Sequence, residues 1–131
     1  MDLDWSLYPN FSANEMRCKH TKELGMRPEM MQVLQDIRTS HGKPIFVSSG
    51  YRSKEHPLEQ DKREPGEHTL GLAVDIICYG REALALLDLA LKHDVRRIGL
   101  HQKGMISGAR YMHIGIADRF FLGFVKTIWT Y

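Results

Sequence analysis

The chain has 131 residues, of which 43% are hydrophobic and 26% are charged, and its formal net charge is +2. This balance is typical of a globular protein, and the length predicts a single domain over residues 1–131. The net charge is too small to argue for nucleic acid as the main partner, so none is expected, and no stretch reaches the roughly 20 apolar residues of a membrane span.

Two helices are predicted in the first third of the chain. Ser12 and Glu15 have the spacing of a capping box, which predicts a short helix over residues 13–17. A longer helix is expected over residues 26–41, because Pro28 suits a first turn and Gly42 suits a helix end. The apolar residues of this helix are expected to lie in the core: Met30, Met31, Val33, Leu34 and Ile37.

Two strands and a charged segment follow. Residues 44–49 are rich in residues that favour strands and predict one that ends before Gly50. Residues 53–66 carry charges of both signs and little apolar content, so we expect a solvated loop whose length is typical of functional loops. Residues 70–77 form the next apolar run and predict a second strand.

The second half of the chain predicts a helix and two more strands. Leucines at helical spacing, at positions 84, 87, 89 and 91, predict a helix over residues 80–93. Residues 97–101 and 111–116 predict strands joined by a Gly-rich turn at 104–108, whereas residues 119–131 are compatible with either strand or helix. The order of elements predicts an α+β fold, with a mainly antiparallel sheet packed against helices.

The two cysteines and most of the histidines receive ordinary structural interpretations. We expect Cys18 and Cys78 to be buried free thiols, and a disulfide between them is the alternative. Four histidines in polar or helix-end settings are interpreted as surface residues: His20, His41, His56 and His93. The other three, at the edges of predicted strands, are His68, His101 and His113.

Asp75 is the first sign of a metal site. It lies between Val74 and Ile76, and a carboxylate buried there is costly unless its charge is balanced. A divalent cation would balance it, and imidazole with carboxylate suits zinc. Gly71 would let the chain bend so that the His68 and Asp75 side chains converge. The alternative is that Asp75 ends a strand and accepts backbone hydrogen bonds.

His113 strengthens the zinc interpretation. A strand would place its side chain on one face with Tyr111 and Gly115. Together with His68 and Asp75 it makes three protein ligands, which leaves a fourth zinc position for water, as in catalytic rather than structural sites. Zinc lowers the pKa of such a water to about 7.

Four segments, taken together and in this order, resemble the zinc D-alanyl-D-alanine carboxypeptidases. That family includes the L-alanyl-D-glutamate endopeptidases that serve as phage endolysins, and it shares its fold with the hedgehog signalling domain. The segments are VSSGYRS at 47–53, HTLGLAVDI at 68–76, IG at 98–99 and YMHI at 111–114. Residues 11–16 and 34–38 are also similar to phage and prophage members.

The resemblance implies roles for single residues. His68, Asp75 and His113 match the three zinc ligands, and Arg52 matches the arginine that stabilises the oxyanion of the scissile amide. A fixed guanidinium near developing negative charge is suited to that role. The alternative for Arg52 is a surface ion pair with Glu55 or Glu59.

The chain departs from the family at the general base. The family carboxylate usually lies three residues before the last histidine ligand, and Arg110 in that position cannot accept a proton at neutral pH. We expect His101 to replace it, because Gly99 and His101 share a strand face beside His113. Glu67 and Asp118 are the other candidates, and His101 could instead be an ordinary half-buried histidine.

These patterns lead to one expected function and two alternatives. We expect a monomeric zinc peptidase that hydrolyses peptidoglycan stem peptides, as a carboxypeptidase or an endopeptidase. The first alternative is a non-catalytic, metal-bearing module that binds cell wall or assembles into a virion; a purely structural zinc domain is disfavoured by three ligands instead of four. Residues 1–10 lack a signal-peptide pattern, which suits a phage or prophage lysin or a virion component.

Overall fold

The structure of the protein is a computed structural model that describes residues 2–131, apart from the side chains of Ile106 and Ser107. Its α-helices are α1 (Ala13–Met16), α2 (Pro28–His41), α3 (Gly80–Lys92) and α4 (Ile106–Ala109), with 3-10 turns at Trp5–Leu7 and Ala117–Arg119. Its strands are β1 (Phe46–Ser49), β2 (Ala73–Ile77), β3 (Arg97–His101), β4 (Tyr111–Gly115) and β5 (Thr127–Thr130).

The five strands form one sheet in the order β1-β2-β4-β3-β5. Every neighbouring pair is antiparallel except β3 and β5, which run parallel. The predicted α+β fold with a mainly antiparallel sheet is therefore confirmed. Residues 119–131, which the sequence left open between strand and helix, supply the edge strand β5.

One row of residues in register crosses all five strands. Asp75 pairs with Ser49 on one side and with His113 on the other, and Gly99 pairs with both His113 and Trp129. We call these five residues the central row. Because neighbouring positions of a strand face opposite sides of a sheet, the register places Asp75 and His113 side by side on one face.

The opposite face of the sheet forms the core. Its buried residues alternate with those of the central row and include Val74, Ile76, Met112 and Ile114. Helices α2 and α3 pack against each other and contribute their own buried side chains to the same cluster. One face of the sheet is thus covered by helices, and the other is left for polar residues.

Helix α2 fulfils the sequence prediction closely. All five residues predicted for the core are buried, and Gly42 ends the helix in the left-handed conformation, with φ of 71°. The helix begins at Pro28 and not at residue 26, because Arg27 is extended, as is usual for a residue that precedes proline.

Helix α3 has the predicted position but a different buried face. The buried residues are Ala83, Leu86 and Ala90, whereas Leu84 is 68% exposed and Leu91 is also exposed. Two of the four leucines used to predict the helix therefore point to solvent. The leucines of this segment are too many for one face of the helix. Two small alanines, together with Leu86, form the buried face instead.

Three smaller expectations are refined. The strands begin at Phe46 and Ala73, later than the predicted 44 and 70. The turn at 104–108 is not wholly irregular, since α4 begins within it. His41, interpreted as a surface residue, has a side chain that is only 5% exposed, because it lies at the end of α2 beside Glu82 of α3.

Cys18 and Cys78 are both buried free thiols, as predicted, and the alternative disulfide is not formed. Across residues 2–131, no helix combines the length and the apolar character that crossing a membrane requires.

Candidate metal centre

His68 is held by the backbone with one ring nitrogen directed into the site. Its Nδ1 lies 2.8 Å from the carbonyl oxygen of Gly50. A carbonyl can only accept, so Nδ1 carries the hydrogen and Nε2 keeps a free lone pair. Gly71, in the left-handed conformation with φ of 73°, turns the chain after His68 toward β2, as the sequence predicted.

Asp75 lies between the two histidines. Its Oδ1 is 3.3 Å from His68 Nε2 and 3.1 Å from His113 Nδ1. The three residues are all buried, and their three ligand-type atoms lie within 4.8 Å of one another. The structure thus brings together side chains that are far apart in the sequence.

The distances from the Asp75 carboxylate to the two imidazoles agree with zinc coordination. Tetrahedral zinc with bonds of about 2.0–2.1 Å separates neighbouring ligand atoms by about 3.3 Å. The distances from Asp75 Oδ1 to the two imidazole nitrogens, 3.3 and 3.1 Å, agree with that separation. Two imidazoles and a carboxylate are also a donor set that zinc prefers, so these residues fit a zinc ion.

The electrostatics of the group favour a cation. Burial raises the pKa of the Asp75 carboxyl, but hydrogen bonds with His113 and His68 outweigh burial and hold that pKa well below its ordinary value. Burial lowers the pKa of His113, and its contacts with Asp75 and Glu67 outweigh burial and raise it. Asp75 is therefore an ionised, desolvated carboxylate, which is a strong partner for a positive ion.

Arg52 lies beside this group and is fixed by three contacts. Its Nη2 is 3.1 Å from Asp75 Oδ2, its Nη1 is 3.3 Å from Glu59 Oε2, and its Nε donates to Ser49 Oγ at 3.0 Å. The alternative interpretation, an ion pair with Glu59, is present as well, although it is not on the surface, since the Arg52 side chain is 16% exposed.

The charged loop at 53–66 is not wholly solvated, which corrects the sequence interpretation. Glu59 has a side chain only 3% exposed, and it accepts hydrogen bonds from Arg52, Lys62 and Thr69. Ser53 is buried too. A charged residue can be buried in such a loop because its partners neutralise it, and composition alone does not reveal those partners.

The three residues open into a cavity of about 420 Å³. The polar residues that line it include Arg52, Glu59 and Lys62. Its aromatic lining residues are Tyr111, Phe124, Trp129 and Tyr131. The cavity is large enough for part of a peptide, and both histidines and Arg52 line it.

Much of the aromatic lining comes from the C-terminal segment, whose place in the site was not predicted from the sequence. The Trp129 ring lies 5.0 Å from the His113 ring and 5.5 Å from the Arg97 guanidinium, measured to ring centroids. The available signal was the run of β-branched and aromatic residues at 127–131, which is typical of a strand.

The proposed substitutes for the general base have different positions. The His101 ring stacks on Tyr111, with centroids 4.9 Å apart and planes within 7°, and does not itself line the cavity. Asp118 lies in the 3-10 turn after β4 and does not line the cavity either. The Arg110 side chain donates to the Gly104 carbonyl at 3.3 Å.

Glu67 contacts His113, and both of its carboxylate oxygens have other partners as well. Its Oε1 lies 2.7 Å from His113 Nε2 and 3.0 Å from Arg97 Nε, and its Oε2 accepts from the Ala117 backbone N–H at 3.2 Å. Both oxygens of Glu67 therefore already have partners, and its carboxylate is held against His113.

The comparison with protein families agrees with this geometry. The family model described as Peptidase M15 matches residues 9–115, which are most of the chain and include His68, Asp75, His113 and Arg52. A search of curated proteins found no match.

Proposed function

The chain belongs to the peptidase M15 family, and from this premise we propose that it is a zinc metallopeptidase that hydrolyses peptidoglycan stem peptides containing D-amino acids. The observation that carries the proposal is the buried group of His68, Asp75 and His113, which opens beside Arg52 into a cavity.

The three residues would hold zinc through single atoms. His68 would bind through Nε2, Asp75 through Oδ1 and His113 through Nδ1, since the remaining ring nitrogens face Gly50 and Glu67. A bound zinc ion would supply a Lewis acid and a water nucleophile with a pKa of about 7.

Arg52 is the proposed electrostatic catalyst. Its guanidinium lines the cavity and is oriented by Ser49, Glu59 and Asp75, so it is preorganised before substrate binds. Negative charge that develops on the amide oxygen beside this group would be stabilised without reorganisation of the protein. A planar, permanently charged guanidinium suits this task better than an amine does.

His101 is the proposed proton-transfer residue. The carboxylates that line the cavity, Glu59, Glu67 and Asp75, are each held by at least two donors or cations. Within the described part of the chain, by contrast, the buried Nδ1 of His101 has no hydrogen-bond partner. His101 stacks on Tyr111, which lines the cavity, so this role requires a water that bridges the imidazole and the cavity.

A second function is favoured by the same carboxylates. If none of these carboxylates can leave its partners and accept a proton from water, the site has no carboxylate base. The chain would then hold a metal without efficient hydrolysis. The position of Arg110 three residues before His113 points in the same direction. This candidate is a metal-bearing module of the same fold that binds cell wall or assembles into a virion.

The setting of the activity is part of the proposal. We propose that the protein acts as a monomer on peptidoglycan, as a phage- or prophage-encoded lysin or virion component. The net charge of +2 is too small to argue for nucleic acid as the main partner.

The test is a cleavage assay with purified peptidoglycan. Wild-type protein with added zinc is expected to release peptides with new termini, identified by mass spectrometry, and a chelator is expected to stop the release. His68→Ala and Asp75→Ala should be inactive, whereas Glu64→Gln, a change at an exposed loop residue, should be active. Binding to peptidoglycan without cleavage would favour the non-catalytic module. Release that is undiminished in His68→Ala would refute the metallopeptidase proposal.

A further inference from the structure

Glu67 is a buried carboxylate that touches the metal group without belonging to it. It comes one residue before His68 in the chain, but its side chain contacts His113 of β4. The Oε1–Nε2 distance of 2.7 Å is short, as expected for a hydrogen bond that involves a charged group.

The carboxylate is itself held in place from two sides. Arg97 of β3 contacts Oε1 at 3.0 Å, and the backbone N–H of Ala117 donates to Oε2 at 3.2 Å. The Arg97 guanidinium in turn packs over the rings of Phe124 and Trp129. Two oxygens with three partners leave Glu67 little freedom to rotate.

Gly115 provides the space that Glu67 occupies. Residue 115 lies two positions after His113 on the same strand and therefore on the same face. A Cβ on Gly115 would overlap the carboxylate and would lie 2.5 Å from its carboxyl carbon. Any side chain at this position would force Glu67 away from His113.

This arrangement determines which nitrogen of His113 is available. The carboxylate is an acceptor, so His113 Nε2 carries the hydrogen and Nδ1 presents its lone pair toward Asp75 and His68. A histidine ligand held by a carboxylate on its other nitrogen is oriented and made more basic, and loss of such a partner typically lowers metal affinity by about 10–100-fold.

We propose that Glu67 is a positioning residue of the metal centre, which holds His113 with Nδ1 directed at the metal, and that Gly115 is required to admit it. This inference rests on the metal-binding role of His113 in the proposed function and is independent of the substrate.

The experiment measures zinc affinity by competition with a chromophoric chelator, and the visible absorption spectrum of the cobalt-substituted protein. Glu67→Gln and Glu67→Ala are expected to weaken zinc binding by about 10–100-fold and to alter the cobalt spectrum. Gly115→Ala is expected to do the same. The double variant Glu67→Ala/Gly115→Ala should bind zinc no more weakly than Glu67→Ala, since the carboxylate that the methyl displaces is already gone.

The outcomes separate this inference from the proposed function. Wild-type affinity and spectrum in Glu67→Ala, together with loss of binding in His113→Ala, would overturn the role of Glu67 and leave the metal centre in place. Wild-type affinity in His113→Ala would overturn the metal centre itself. Circular dichroism checks that each variant is folded, and Glu67→Gln, which conserves shape, decides the matter if Glu67→Ala does not fold.

Discussion

The indole of Trp129 lies directly over Gly99, in the space that a side chain at residue 99 would fill. A Cβ on Gly99 would come within 2.5 Å of the ring, and the two residues are paired in register between β3 and β5. The same ring packs 5.0 Å from that of His113. The last strand therefore closes one side of the metal centre, although it lies outside the residues that the family model matches.

Gly99→Ala is expected to destabilise the protein by about 1–3 kcal/mol, because the added methyl group must displace the Trp129 ring. Urea denaturation measures the change in the free energy of unfolding. Gly123→Ala is the matched control, since a Cβ there would meet no atom within 4 Å, and it should have little effect. An equal loss in both variants would contradict the close contact with Trp129.

Trp129 should report metal binding through its fluorescence. The chain has two tryptophans, so Trp5→Phe leaves Trp129 as the sole indole. Cobalt bound beside His113 is expected to quench the emission of this variant. The converse variant, Trp129→Phe, should be quenched far less, because Trp5 precedes α1 and does not line the cavity. Equal quenching in the two proteins would place the metal elsewhere.

Zinc should stabilise the folded protein through the three proposed ligands. A ligand at 100 times its dissociation constant that binds only the native state adds about 2.7 kcal/mol to the free energy of unfolding. Thermal melts with zinc and with chelator measure this shift, and His113→Ala should abolish it. His20→Ala, which alters an exposed histidine, should retain it. A shift that survives in His113→Ala argues against the assigned site.

Glu59 should make stability fall in acid. Burial raises the pKa of its carboxyl, but Lys62 and Arg52 outweigh burial and hold that pKa below its ordinary value of 4.5. A carboxyl with a lowered pKa stabilises the native state fully above the unfolded-state pKa, and that stabilisation is lost as the pH falls through the folded-state pKa. Glu59→Gln should therefore be less stable than wild type at pH 7, by about 1–3 kcal/mol.

The difference between wild type and Glu59→Gln should shrink below pH 4.5, where the wild-type carboxyl becomes protonated. Urea denaturation at several pH values measures it. A difference that stays constant into acid would show that Glu59 acts through its shape and not through its charge. Glu64→Gln, at an exposed position of the same loop, serves as the control.

Arg52→Ala should slow peptide hydrolysis much more than it weakens binding. Loss of one oriented donor to an oxyanion typically lowers kcat by about 10²–10³-fold. Arg52→Lys should recover only part of the rate, because an amine cannot keep the contacts with Glu59 and Asp75 at once. Steady-state kinetics on a defined stem peptide separate kcat from KM, and a change confined to KM would assign Arg52 to binding alone.

The grouping of His68, Asp75 and His113 was predictable from the sequence because these residues lie in short motifs. An aspartate between Val74 and Ile76 is conspicuous in a buried strand, and Gly71 and His68 precede it at fixed spacing. The burial of Glu59 and the position of Trp129 were not predictable in this way. Each depends on contacts with residues distant in the chain, which composition and periodicity do not record.

Helix α3 shows the same limit in the core. Its position followed from the spacing of apolar residues, but Leu84 is exposed while Ala83 and Ala90 are buried. Which side of an apolar helix is covered depends on the shape of its neighbours. The small alanines let α3 approach the rest of the core, and hydrophobicity alone does not favour them over leucine.

The central row makes metal binding depend on the correct register of β2 and β4. Asp75 and His113 face each other across β2 and β4. A shift of β2 by one residue would turn Asp75 into the apolar core and bring Val74 or Ile76 to the polar side, and a shift of β4 would do the same with His113 and Met112 or Ile114. A misaligned sheet would thus lose the ability to capture the ion altogether. Metal content should therefore distinguish correctly folded molecules from misregistered ones in a refolded preparation.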